Sequence, residues 1–123
     1  MFLAIVSASK GSGRARLTDV IGAADGINHA IPLEQELRGG INRLIHAELV
    51  SADEAGLGPT EIGEALAQEV GRPSHSVSMQ QLELRLARLT DPEAPAWLPT
   101  HAEIRAAIEA YQSRAREWLR RNP

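Results

Sequence analysis

Five side chains that form directional hydrogen bonds fall together in the stretch PLEQELRGGINRLIHAELV, Pro32 to Val50: Gln35, Arg38, Asn42, Arg43 and His46. Stepping about 100° per residue gathers Leu37, Ile41, Leu44, Ile45 and Leu49 into one apolar stripe. The same steps turn Gln35, Glu36, Gly39, Asn42, Arg43 and His46 to the opposite face. A helix built this way shows water a surface of amide, guanidinium and imidazole groups. Such a face can read a partner, and the rest of the chain is expected to hold this helix in place.

No other arrangement of reactive residues assembles into catalysis. Ser7-Ala8-Ser9-Lys10 has the S-x-x-K spacing of acyl-transferring serine enzymes, but the chain is far too short and lacks their companion motifs. Lys10-Gly11-Ser12-Gly13 is not a phosphate loop, because the lysine precedes the glycines. His101-Ala102-Glu103 matches a deaminase H-x-E, yet no cysteine exists to complete the zinc site. None of His29, His46, His75 and His101 has a His, Asp or Glu three or four positions after it. No metal, no cofactor and no enzymatic activity are expected.

The 123 residues suit one domain with a core that needs no staple. The absence of cysteine excludes a disulfide framework and fits a reducing compartment, so cytoplasm is the expected location. The apolar start, Phe2 to Val6, is too short to span a bilayer and lacks the flanks of a signal peptide; no membrane association is expected. The net charge of −3 is unevenly spread. Residues 1–30 carry +1, residues 71–123 carry +2, and residues 31–70 set eight acids against Arg38 and Arg43 for −6. An acidic middle repels polyanions and attracts basic partners.

Apolar periodicity gives the elements in order. In Met1 to Lys10, Phe2, Leu3, Ile5 and Val6 satisfy both a helical stripe and a short buried strand; helix is the expected form, and Gly11 to Gly13 break it. A second helix is expected from a Thr18 N-cap through Val20, Ile21, Ala24 and Ile27 to Ile31-Pro32, with Gly22 and Gly26 marking close packing. After the Pro32 helix, Leu49-Val50 turn extended, and Ser51 to Gly58 read as a tight β-ribbon. Pro59-Thr60 open a helix with an Ile62, Leu66, Val70 stripe, stopped by Gly71. GRPSHSVS reads as a loop, then a Ser78–Gln81 capping box starts about three turns with Met79, Leu82, Leu86 and Leu89. TDPEAPAWLP is a connector with Trp97-Leu98 as a packing anchor. Thr100 and Glu103 cap a final helix of about twenty residues, or about 30 Å. Its stripe, Ile104, Ile108, Tyr111, Ala115, Trp118 and Leu119, suits a homodimer interface on a helix long enough to overhang its domain.

Two stretches carry a family resemblance. INRLIHAELV, Ile41 to Val50, looks like the "RL…AGLV" end of a recognition helix entering a wing, and LGPTEIGEAL, Leu57 to Leu66, looks like the "LTPEG" stretch leaving it. With LTDVIGAADGINHAIP (Leu17 to Pro32) before them, Phe2 to Val70 resembles the winged helix-turn-helix domains of bacterial transcription regulators of the MarR and PadR kind. The resemblance implies a mostly α fold with a small two-stranded β-wing. Residues 1–71 would be the winged domain, and 72–123 a helical extension packing on it or forming a dimer interface. It further implies a transcriptional regulator that binds double-stranded DNA, with Gln35, Arg38, Asn42, Arg43 and His46 in the major groove and Lys10, Arg14 and Arg16 on phosphates. The chain departs from the pattern where the helix usually ends in glycine, here Glu48. It also departs at the wing tip, where Asp53 and Glu54 replace a basic residue, and in the first turn of the recognition helix, which carries Glu34 and Glu36. The DNA-binding regulator is the first reading; the alternative, which rests on the −6 balance of the middle, keeps the fold and drops the DNA, a winged-helix protein-interaction module whose acidic surface meets a basic protein.

Overall fold

The first segment is helical, and much of the molecule is built around it. The structure, a computed structural model, describes residues 1–70 and 79–123. The described elements are α1 (Phe2–Ser9), α2 (Leu17–Asn28), α3 (Glu34–His46), β1 (Val50–Asp53), β2 (Gly56–Pro59), α4 (Glu61–Val70), α5 (Met79–Leu86) and α6 (His101–Arg121). The expected GRPSHSVS loop, the Gly71 stop and the Ser78 cap lie outside the described residues. The protein is mostly helical, with one small antiparallel hairpin and helices C-terminal to it.

α1 places Phe2 and Ile5 at full burial and touches α2, α3, α4, α5 and β2. Its N-terminal end is held by α5, where the Glu83 carboxylate accepts from the backbone nitrogens of Met1 and Leu3, both at 2.6 Å. An anion there meets the positive end of the helix dipole. Val20, Ile21 and Ala24 of α2 and Leu37, Ile41 and Leu44 of α3 complete the N-terminal part of the core. Leu82 of α5 and Ile104 and Ile108 of α6 enter the same core, so the C-terminal helices pack on the N-terminal ones.

The hairpin pairs Val50 with Pro59 and Asp53 with Gly56, and its outer edge is joined by Ala15, which exchanges both backbone hydrogen bonds with Leu57 (2.7 and 2.8 Å). Glu48 takes the left-handed conformation, φ 63°, that glycine adopts most easily. Glutamate thus stands here in a backbone conformation that suits glycine. α4 then lies directly on the hairpin base. A Cβ at Gly63 would sit 2.0 Å from the Leu49 carbonyl oxygen, and Thr60 caps α4 by accepting from the Gly63 amide at 3.0 Å.

Several boundaries differ from expectation. α2 starts at Leu17 behind an extended Arg16, so Thr18 is inside the helix. It ends at Asn28, before Ile31-Pro32, because His29 turns left-handed (φ 57°) and closes the helix on the Asp25 carbonyl. Gly22 does receive a neighbour, the Tyr111 ring 3.1 Å from where a Cβ would be, whereas Gly26 has none within 4 Å. α5 has eight residues, two turns rather than three. Ile62, placed in the α4 stripe by its spacing, is 59% exposed; Leu66 is half-buried and Val70 buried. Trp97 packs against the core, but its neighbour Leu98 is 69% exposed. The α6 cap is as expected: Thr100 accepts from the Glu103 amide at 3.0 Å and Glu103 accepts from the Thr100 amide at 3.2 Å.

Candidate recognition surface

α3 forms for the reason its pattern suggests, with Leu37, Ile41 and Leu44 facing inward and Glu36 closing the first turn on the Leu33 amide at 3.1 Å. Its polar face is not bare. The Asn42 side chain is buried, donates to the carbonyls of Arg38 (3.0 Å) and Trp97 (2.9 Å), and accepts from the Trp97 amide (2.9 Å). Arg43, about 100° further round the helix, pairs with Asp91 at 2.8 Å and folds back over Gly39. The connector thus crosses the face between these two anchor points like a strap. Arg38 pairs with Glu34 four residues earlier at 3.4 Å, and Glu34 also meets His101 at the start of α6.

Three of the expected readers thus have partners within the chain. Asn42 is a buried structural amide with both ends of its side chain used, and it cannot address a groove while the strap is seated. Arg43 is half-buried under the connector, and its Nε is buried with no hydrogen-bond partner among the described residues. Arg38 is partly covered and paired. Gln35 and His46 remain exposed.

The loop cations divide in the same way. Arg14 donates to the carbonyl and hydroxyl oxygens of Ser51 (2.9 and 2.8 Å) and pairs with Asp53 at 3.0 Å, tying the loop to the hairpin. It is a brace rather than a free phosphate contact. Asp53 in turn accepts from the amides of Ala55 and Gly56, so its charge is used in making the turn. Lys10 and Arg16 are exposed. Burial raises the Glu34 carboxyl, but the hydrogen bonds from His101 and Arg38 outweigh it and hold the group below the ordinary carboxylate value.

Comparison of the chain with protein-family models, curated proteins and solved structures finds no match.

The second expected surface, the α6 stripe, splits in two. Ile104 and Ile108 are buried in the protein's own core. Tyr111 packs on Gly22 and donates to Asp25, which with partial burial raises its phenol above the usual value. These three side chains make contacts within the chain. Ala115 is half-buried, while Trp118 and Leu119 are 62% and 60% exposed.

Two groups of residues were missed at the sequence level. One is the strap's hold on α3, through Asp91 on Arg43 and the Trp97 backbone on Asn42, whose partners lie about fifty residues away; Trp97 was expected as a packing anchor, but not its clasp on Asn42. The other is the outer side of α4, where Glu61, Ile62 and Glu64 are exposed together. Its signal was Ile62 flanked by acids, which periodicity assigned to the core.

Proposed function

We propose that the protein is a winged-helix interaction module that presents an acidic surface to a basic protein partner. The observation that carries this is the clasp between Asn42 and Trp97, because it lays the connector across the α3 face that a DNA reader would need. The order of three helices, hairpin and helix, with Ala15 joining the hairpin edge, supports the winged-helix name. Between Arg43 and Arg72 the chain has six acids and no lysine or arginine. A phosphate backbone brought against α3 would meet that acidic surface, and binding to DNA is dominated by such charges.

Fluorescence anisotropy of mixed-sequence duplex DNA at about 50 and about 200 mM salt tests the proposal, since phosphate neutralisation makes affinity fall steeply with salt. No binding at either salt is the expected result. Strong binding at the lower salt that is lost at the higher would favour the second reading, a DNA-binding transcriptional regulator. That reading draws on the exposed Gln35, His46, Lys10 and Arg16, and it requires the strap to leave α3. If it holds, Trp97→Ala should raise duplex affinity and Arg38→Ala with Arg43→Ala should abolish it.

A further inference from the structure

The acidic surface needs a basic partner, and the C-terminal end of this chain carries the matching chemistry. Tyr111 meets Asp25 near the end of α2, and Arg114 meets Asp19 in its first turn at 3.0 Å, so α6 runs antiparallel to α2. The two turns after Arg114 run past the start of α2. On them Trp118 and Leu119 are exposed beside Arg116, Arg120 and Arg121, with Glu117 held by Arg120 (2.6 Å) and Arg121 (3.0 Å). On α4, Glu61, Ile62 and Glu64 are all exposed, with Glu61 lying between Ile62 and Glu64 round the helix at about 100° per residue, and that helix contains no basic residue.

We propose that the α6 overhang of one copy docks on α4 of a second copy, with Trp118 and Leu119 covering Ile62 and the arginines meeting Glu61 and Glu64. This rests on the acidic-surface reading and names its partner. Charge decides between this and the simpler contact of overhang with overhang. From Ala115 to Arg121 the overhang has three arginines against one glutamate, so pairing two overhangs brings like charges together. Docking on α4 brings opposite charges together at Glu61 and Glu64, with Ile62 as the apolar flank of the contact. Tryptophan and arginine are also the residues that most often anchor interfaces. Reciprocal docking makes two identical contacts about a two-fold axis and leaves no overhang unused.

The test is the mass of the full chain by light scattering and sedimentation equilibrium up to about 100 μM. At about 50 mM salt the expected mass is twice the 13.3 kDa of one chain, with dissociation at least about tenfold easier at about 500 mM, where exposed charges are screened. Trp118→Ala should give the monomer mass with an unchanged circular dichroism spectrum. Glu61→Arg with Glu64→Arg should also give monomers, as should Arg116→Glu with Arg120→Glu. Mixing these two double variants should restore the dimer mass, which also shows that both are folded. A wild-type monomer at about 100 μM and low salt overturns the proposal. So does a dimer that tightens with salt or survives reversal of Glu61 and Glu64, since the overhangs would then be pairing with each other. Duplex binding would instead overturn the acidic-module reading, and it is read by anisotropy rather than by mass.

Discussion

α3 and α4 are both short amphipathic helices with polar outer faces, yet the polar side chains of α3 are tied to the connector while Glu61, Ile62 and Glu64 of α4 are exposed. On α3, Glu34 meets Arg38 and His101, Asn42 holds Trp97, and Arg43 holds Asp91. On α4, Glu61, Ile62 and Glu64 stand exposed. The helix richer in hydrogen-bonding side chains is thus the one with less to offer an outside partner. Hydrogen-bonding capacity serves the chain's own connector as readily as a ligand, because a buried polar group must be satisfied wherever it lies. An exposed isoleucine among glutamates satisfies nothing within its own chain.

The strongest way to break this contrast is to lift α4 from the hairpin. Gly63→Ala places a methyl group against the fixed Leu49 carbonyl, and overpacking of this kind costs about 3 kcal/mol. Urea unfolding should show that loss; a change under about 1 kcal/mol would mean that α4 shifts freely and that its outer surface is not fixed. Next is the clasp on α3. Asn42→Ala leaves the Trp97 amide and carbonyl without their side-chain partner, which costs about 2 kcal/mol. Gln35→Ala and His46→Ala on the same face should stay within about 0.5 kcal/mol. Equal losses at all three would remove the distinction between strapped and free positions. Hydrogen exchange in Asn42→Ala should also speed up at Trp97 before it does elsewhere.

The elements were legible because they depend on local rules. The Leu37, Ile41, Leu44 period, the Thr100–Glu103 cap and the turn-rich ribbon each need only a few consecutive residues. The ends of α2 were harder, because His29 in a left-handed cap has no glycine to announce it. The candidate surface was least legible. A helical wheel says which residues leave the core but not whether a segment fifty residues later returns to cover them, so Asn42 read as exposed. Ile62 failed the other way, since its spacing matched the α4 stripe while its position on the helix left it outside the packed body. The α6 stripe was continuous as a pattern and divided in space, because α2 ends before α6 does.

A smaller effect sharpens the comparison at the junction between α3 and the hairpin. Glu48 holds a left-handed backbone, which costs a non-glycine residue about 1–2 kcal/mol. Glycine recovers part of this but loses more entropy on folding. Glu48→Gly should therefore stabilise by about 0.5 kcal/mol, seen as a higher urea midpoint. It also removes one acid from the acidic run without touching Glu61 or Glu64, so the dimer expected from the α4 contact should be unchanged.

The last and smallest effect is the pH dependence of the ion cluster that joins α3 to α6. The Glu34 carboxyl is lowered in the folded protein, its hydrogen bonds to His101 and Arg38 overcoming the opposing effect of burial. A lowered carboxyl stabilises the fold above its unfolded value, near 4.5, and that contribution is lost as pH falls through the folded value. Glu34→Gln should therefore melt below the wild type at neutral pH, and the gap should hold down to about 4.5 and then close. A gap that stays constant through the acid range would mean that Glu34 supports the junction by shape alone, and that the charges around α3 do not hold the start of α6 in place.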